Sequence, residues 1–228
     1  MSKAITIDGP AAAGKTTTAK FLAKSLNDFL YVDTGAFYRT AAIALKRKGI
    51  NIKDAVPAKE LAIYDILGDT SIKAEAYQNE QNMYLNGNLI LDHLLRTEEI
   101  SQLSSAASAL PGVRDYVNDA IRAYAAANNV IMEGRDTGTV ILPDANIKFY
   151  LTANLNVRSE RRLKDLQRKN VQTDIGTVYA DMKLRDERDM NRDVAPLQVA
   201  KGGIYIDNSE IAEHASNRLI LGIVDHLL

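Results

Sequence analysis

The sequence predicts a single α/β domain, residues 1–228, built on a central parallel sheet flanked by helices. Three observations carry that expectation. From Ala4 to Gly49 the pattern runs strand, helix, strand, helix, the order that yields a parallel sheet wrapped by helices. Gly9-Pro10-Ala11-Ala12-Ala13-Gly14-Lys15-Thr16 matches G-x-x-x-x-G-K-[ST] between the first strand and the first helix. An Asn86-Gly87 turn then breaks the rhythm with a small antiparallel insert.

The first strand, Ala4–Ile7, is apolar and β-branched and stops at Asp8-Gly9-Pro10. Apolar residues at helical spacing define a helix over 15–26, a strand follows over 29–32, and a second helix over 34–48 ends at Gly49. Between about 67 and 92, residues 71–75 and 83–85 are strand-like around the Asn-Gly turn. Helices are expected over 97–110 and 111–127, the latter opened by Pro111, a good first-turn residue. Strands over 130–133 and 147–151 return to the main sheet. Two charge-rich helices over 156–169 and 173–191, a strand over 204–207 and a helix over 209–227 complete the chain. Repeats and low-complexity segments are absent from the sequence.

With 228 residues the chain suffices for one core with insertions and is short for two independent domains. Hydrophobic residues make up 46% and charged residues 25%, and no apolar run reaches the roughly 18 residues of a membrane span. Met1-Ser2-Lys3 leads straight into a short strand, so no secretory leader is expected; with no cysteine there is no disulfide or thiolate metal site. A soluble, cytoplasmic protein is the expectation. A net charge of −1 argues against a broad nucleic-acid surface, so anion binding must be local.

The glycine loop supplies that local site. Its glycines let successive N–H groups face phosphate oxygens, and the helix start adds the positive end of a dipole. Lys15 adds a cation and Thr16 a hydroxyl suited to Mg²⁺. A guanine-reading Asn-Lys-x-Asp motif is missing; Asn51-Ile52-Lys53-Asp54 and Asn146-Ile147-Lys148-Phe149 do not match it. That turns the reading from a GTPase switch towards a kinase, whose two anionic substrates need a second set of cations.

Arg185, Arg188 and Arg192 fall on one helical stripe, where they repel unless an anion or acidic partners such as Asp181, Asp186 and Asp189 sit beside them. Arg158, Arg161 and Arg162 gather on one side of the preceding helix; a basic exposed helix paired with Glu160 and Asp165 is the alternative. Arg39 and Arg135 follow strands at their C-terminal ends, where open parallel sheets place ligands.

The runs Ile7–Thr16, Asp33-Thr34-Gly35-Ala36-Phe37-Tyr38-Arg39, Glu133–Val140 and Arg185–Leu197, in this order, resemble the bacterial-type cytidylate kinases of the P-loop NTPase superfamily. The resemblance spans nearly the whole chain. It implies a nucleoside-monophosphate-kinase fold with its core at about 1–35, 128–155 and 200–228. An acceptor-binding region carrying the insert would lie at about 36–127 and a helical lid at about 156–192, and the stretch around 155–190 is expected to be mobile without ligand. It implies transfer of the γ-phosphoryl group of ATP to CMP or dCMP by an Mg²⁺-dependent enzyme of pyrimidine nucleotide metabolism; a monomer with no nucleic-acid or membrane partner is the expectation.

By that resemblance Gly9 to Thr17 hold ATP, that is Gly9, Pro10, Ala11, Ala12, Ala13, Gly14, Lys15, Thr16 and Thr17. Thr16 would ligate the metal, with Asp33 acting on it through water. Arg39, Arg135 and Arg192 would hold the acceptor phosphate beside Arg185, Arg188 and Thr34, while Asp189 would bind the sugar hydroxyls. Ser105, Arg114 and Asp136 would read cytosine. Lys15, Arg158, Arg161, Arg162 and Arg188 are the expected catalytic cations. Asp33 and Thr34 could equally be a helix N-cap pair. The loop interior Pro-Ala-Ala-Ala departs from the family, as does Gly202-Gly203 before the last strand. A kinase for UMP, dTMP or shikimate and a non-catalytic nucleotide-binding module remain the competing readings. His93, His214 and His226 are isolated and carry no assigned role.

Overall fold

A computed structural model describes residues 2–52, 64, 66–77 and 80–228. The rest of the expected acceptor-binding region, including 53–63 and with them Lys53 and Asp54, lies outside the described residues. The elements are β1 (Ala4–Asp8), α1 (Lys15–Ser25), β2 (Leu30–Asp33), α2 (Thr34–Arg47), β3 (Ile72–Tyr77), β4 (Glu80–Leu85) and β5 (Asn88–Ile90). They continue with α3 (Asp92–Leu95), α4 (Glu98–Ala107), α5 (Pro111–Ala127), β6 (Val130–Gly134) and a π-helical turn (Thr137–Ile141). β7 (Ile147–Thr152), α6 (Leu155–Arg168), α7 (Ile175–Asn191), β8 (Ile204–Asp207) and α8 (Glu213–Leu227) complete the chain.

A parallel five-stranded sheet runs in the order β2-β6-β1-β7-β8, and a separate antiparallel sheet in the order β3-β4-β5. β1 and β7 register Ile5 against Ile147 and Ile7 against Phe149. Ile5, Ile7, Ile131, Met132 and Leu151 have no solvent exposure, which is why these strands are near-continuous apolar runs and show no alternation.

The chain divides into two compact units, Met1–Ser2 with Asp28–Val130, and Lys3–Asn27 with Ile131–Leu228. In the first, α2 packs on α4 and α5 and contacts the antiparallel sheet. Asn86 and Gly87 have φ of 52° and 77°, the doubly positive turn that an Asn-Gly hairpin requires. In the second, α1 packs on α8, with Thr18 Oγ1 donating to Asn217 Oδ1 at 2.8 Å, and α6 packs on α7.

Local chemistry fixed several boundaries. Thr97 caps α4 by accepting from Ile100 N, and Asp174 caps α7 by accepting from Thr177 N at 3.0 Å, so α7 starts at Ile175. α8 starts at Glu213, four residues after the expected 209. Asp207 Oδ1 accepts from both the backbone N and the Oγ of Ser209, and this side-chain turn holds the chain out of the helix. The short α3 and the π-helical turn after β6 were not foreseen. Among the described residues no helix is long and apolar enough to cross a membrane.

Candidate active site

The phosphate loop takes its shape from backbone geometry that its residues meet unequally. Gly9 has φ 148°, and a Cβ there would stand 1.9 Å from the Leu151 carbonyl oxygen, so only glycine fits. Gly14, at φ 95°, is the N-cap of α1 and brings no side chain to its first turn. The N–H groups of that turn are therefore left for a ligand. Ala12 holds φ 56°, a left-handed conformation without the glycine that favours it.

Lys15 is 6% exposed, and its Nζ donates to Pro10 O at 2.6 Å across the loop. Burial is the main cause that pushes its pKa down to about 7; the positive charges of Arg135 and Arg185 push the same way, while Glu133 and Asp8 oppose them. A cleft of about 290 Å³ at this loop is lined by Ala12 to Thr17, Arg161, Lys164, Asp165, Arg168 and Glu213. Asn208 ties the cleft together: Nδ2 donates to Ala13 O at 3.0 Å, Oδ1 accepts from Arg161 Nη1 at 2.9 Å, and its carbonyl accepts from Arg161 Nη2 at 3.1 Å.

Arg158, Arg135 and Arg192 meet carboxylates far from them in sequence. Arg158 is buried, with Nη1 donating to Asp186 Oδ2 at 2.6 Å and to Ala11 O at 3.2 Å, and Nε to Ala153 O at 2.7 Å. Arg135 Nε donates to Asp189 Oδ2 at 2.8 Å. Arg192 donates to Asp136 Oδ1 at 3.1 Å and to Ala195 O at 2.6 Å. Arg185 and Arg188 lie exposed on α7, and Arg162 is half-buried on α6. Asp186 and Asp189 therefore meet arginines of other elements, because they lie on the face of α7 turned inward.

Asp8 ends β1 fully inside. It accepts from Thr137 N at 2.9 Å, Thr137 Oγ1 at 2.7 Å and Gly138 N at 2.8 Å. Burial outweighs these three bonds and leaves its pKa above the ordinary carboxylate value.

In the first unit Asp33 precedes α2 but makes no side-chain cap; its Oδ2 meets Arg39 Nη2 at 2.5 Å, with Arg96 Nη2 at 3.6 Å. Arg39 Nε is buried with no hydrogen-bond partner, and Thr34 is 4% exposed at the start of α2. Arg114 is 2% exposed, its Cζ 5.5 Å from the centre of the Tyr38 ring and its Nη1 3.1 Å from Ser108 O. Tyr38 Oη donates to Asn118 Oδ1 at 3.0 Å, which fixes the ring beneath the guanidinium. Ser105 is half-buried one residue from the buried Ser104, and its carbonyl accepts from Ser108 Oγ at 2.9 Å.

Sequence reasoning singled out neither Asp8, Tyr38 and Asn118 nor Asn208, Lys164 and Arg168. Asn208 had a usable signal, since it follows a strand's C-terminal end as Arg135 does. Tyr38 had none, because only packing brings it to Arg114, whereas Asn118 lies one turn beyond Arg114 on α5 and could have been read from that spacing.

The family model for cytidylate kinase matches residues 5–224. The chain belongs to the cytidylate kinase family. Its similarity to curated members is high: 38% identity over 205 residues with a cytidylate kinase of Leuconostoc mesenteroides, covering 90% of this chain and 88% of that protein. With a cytidylate kinase of Paramagnetospirillum magneticum it is 39% identical over 228 residues, covering 98% of each. A crystal structure of an uncharacterized protein from Eubacterium ventriosum shares the fold, with a TM-score of 0.55 at 14% identity over 99% of both chains. Family membership makes the chain a nucleoside monophosphate kinase, active in ATP-dependent phosphorylation of CMP and dCMP.

The family implies Mg²⁺ with ATP. Thr16, exposed at the mouth of the cleft, offers a hydroxyl oxygen, and among the described residues no three His, Asp or Glu side chains gather into an ion cage. This donor set fits a cation that keeps its waters and takes phosphate oxygens from the substrate, as Mg²⁺ does.

Proposed function

We propose that the chain phosphorylates CMP and dCMP by direct in-line transfer, with no covalent intermediate and no general base. The attacking oxygen belongs to a phosphate dianion that already carries its charge. The observation that supports this most is the phosphate loop itself: Gly14 leaves the first-turn N–H groups of α1 without a side-chain cap, and Lys15 is buried beside them, with Arg135 and Arg185 raising and Glu133 and Asp8 lowering the cost of its charge. Such a cluster is costly until polyphosphate arrives, and it matches the charge that phosphoryl transfer develops.

In this reading residues 9–17 cradle the ATP phosphates. Lys15 with Arg158, Arg161, Arg162 and Arg188 neutralises the migrating group. Arg39, Arg135 and Arg192, with Arg185 and Thr34, hold the acceptor phosphate. Asp189 takes the sugar hydroxyls, and Ser105, Arg114 and Asp136 read cytosine, the carboxylate accepting from the exocyclic amine while the guanidinium donates to N3 and O2. Thr16 would hold Mg²⁺, with Asp33 acting on it through water, and the ion would supply positive charge against the phosphates. Closure of α6 and α7 over the reactants, residues about 156–192, excludes water as a competing acceptor. We place the enzyme in the cytoplasm as a monomer.

The test is ADP release with Mg·ATP and each of CMP, dCMP, UMP, dTMP, AMP and GMP. A rate at least about tenfold higher with CMP or dCMP is expected, a preference of more than about 1.4 kcal/mol. Equal rates would remove the cytosine reading. ATP binding without acceptor-stimulated turnover would favour a non-catalytic module.

A further inference from the structure

Asp8 stands between two parts of the machinery without belonging to either. Along the chain it is the residue before Gly9, where the phosphate loop begins. In space its carboxylate caps the π-helical turn Thr137–Ile141, which begins directly after Arg135 and Asp136. Oδ1 accepts from the backbone N and the hydroxyl of Thr137, and Oδ2 accepts from Gly138 N. The turn then closes on its own carbonyls, Val140 N on Asp136 O at 2.9 Å and Leu142 N on Thr137 O at 2.7 Å. It is pressed against β1 as well, since a Cβ on Gly138 would lie 2.7 Å from Thr6 Oγ1.

Two backbone N–H donors therefore point at two separate oxygens of one side chain that is 2% exposed. A carboxylate satisfies both. An amide cannot, because whichever way it is turned its NH₂ faces one of the N–H groups and leaves a buried donor unmet. Arg135 and Asp136 leave this anchored backbone for Asp189 and Arg192, so a slackened turn displaces both side chains together.

We infer that Asp8 is the positioning residue that fixes the acceptor-recognition pair Arg135-Asp136 relative to the start of the phosphate loop. It touches no substrate; it acts through the turn. The inference rests on the proposed roles of Arg135 in phosphate binding and Asp136 in reading cytosine.

Asp8→Asn tests it by steady-state kinetics with CMP and UMP, after circular dichroism and thermal melting show a folded protein. KM for CMP should rise at least about tenfold and the CMP-over-UMP preference in kcat/KM fall at least about fivefold, with KM for ATP changed less than about threefold. Thr137→Val removes one of the three bonds and keeps both N–H donors. It should raise KM for CMP about two- to threefold with KM for ATP unchanged, and it decides the matter if Asp8→Asn does not fold. Wild-type KM and preference in the folded variant overturn the inference. So does an equal loss for ATP and CMP, which would make Asp8 a support of the phosphate loop alone. A native enzyme that does not prefer CMP over UMP overturns the cytosine reading instead, and that is visible before any variant is made.

Discussion

Arg135 Nε and Asp189 Oδ2, 54 residues apart in sequence, meet at 2.8 Å. Arg192 and Asp136 repeat the arrangement at 3.1 Å. In both pairs a proposed phosphate-binding arginine is held by a carboxylate proposed to bind another part of the same substrate. The acceptor must then exchange partners on arrival, with its phosphate taking the guanidinium and its sugar or base taking the carboxylate. Asp189→Asn weakens the pair and the sugar contact together. It is expected to raise KM for CMP about tenfold while KM for ATP stays within about threefold, read from initial rates.

Arg158 and Asp186 form an ion pair whose side chains are each 7% exposed, and Asp186 Oδ1 is buried without a hydrogen-bond partner. Asp186→Ala leaves Arg158 charged among carbonyls with no carboxylate. The expected loss is about 3 kcal/mol of unfolding free energy, measured by urea titration. A loss below about 1 kcal/mol would show the pair to be no better than a surface contact.

Lys15 is pushed down to about 7 from its ordinary 10.5. The folded protein binds fewer protons than the unfolded chain between those values, so this group's contribution to stability rises as pH rises through that window. ATP phosphates reverse the shift by favouring the ammonium. At pH 8 binding should take up as much as about one proton, seen as a dependence of calorimetric binding enthalpy on the buffer's ionisation heat. Lys15→Met should remove that dependence.

Ala12 holds φ 56°, in the phosphate loop's left-handed position. Ala12→Gly relieves roughly 1–2 kcal/mol of steric cost and returns about 0.5–1 kcal/mol through the freer unfolded chain. A net gain of about 0.5–1 kcal/mol in denaturant unfolding is expected. A loss would mean that the loop is not strained at this residue.

The order of elements was legible because the signals are local. Ala4–Ile7 is a largely apolar run in a buried strand, Gly9 and Gly14 answer backbone angles, Pro111 opens α5, and Asn86-Gly87 makes a turn whose twist suits a hairpin. Two helix starts moved where a side chain bonded nearby backbone, Asp174 with Thr177 and Asp207 with Ser209.

The sequence by itself determined the α/β architecture, the phosphate loop and the set of arginines, because glycine angles, helical spacing and strand ends are written in neighbouring residues. It could not say which carboxylate each arginine meets, that Tyr38 and Asn118 seat Arg114, that Asn208 joins the loop to Arg161, or that Asp8 caps the turn at Thr137. Arg39 and Asp33 are 6 positions apart, but the other pairs join residues from 28 to 195 positions apart. Hydrogen bonds and ion pairs act over a few ångströms, and only the packed chain brings such partners within that range.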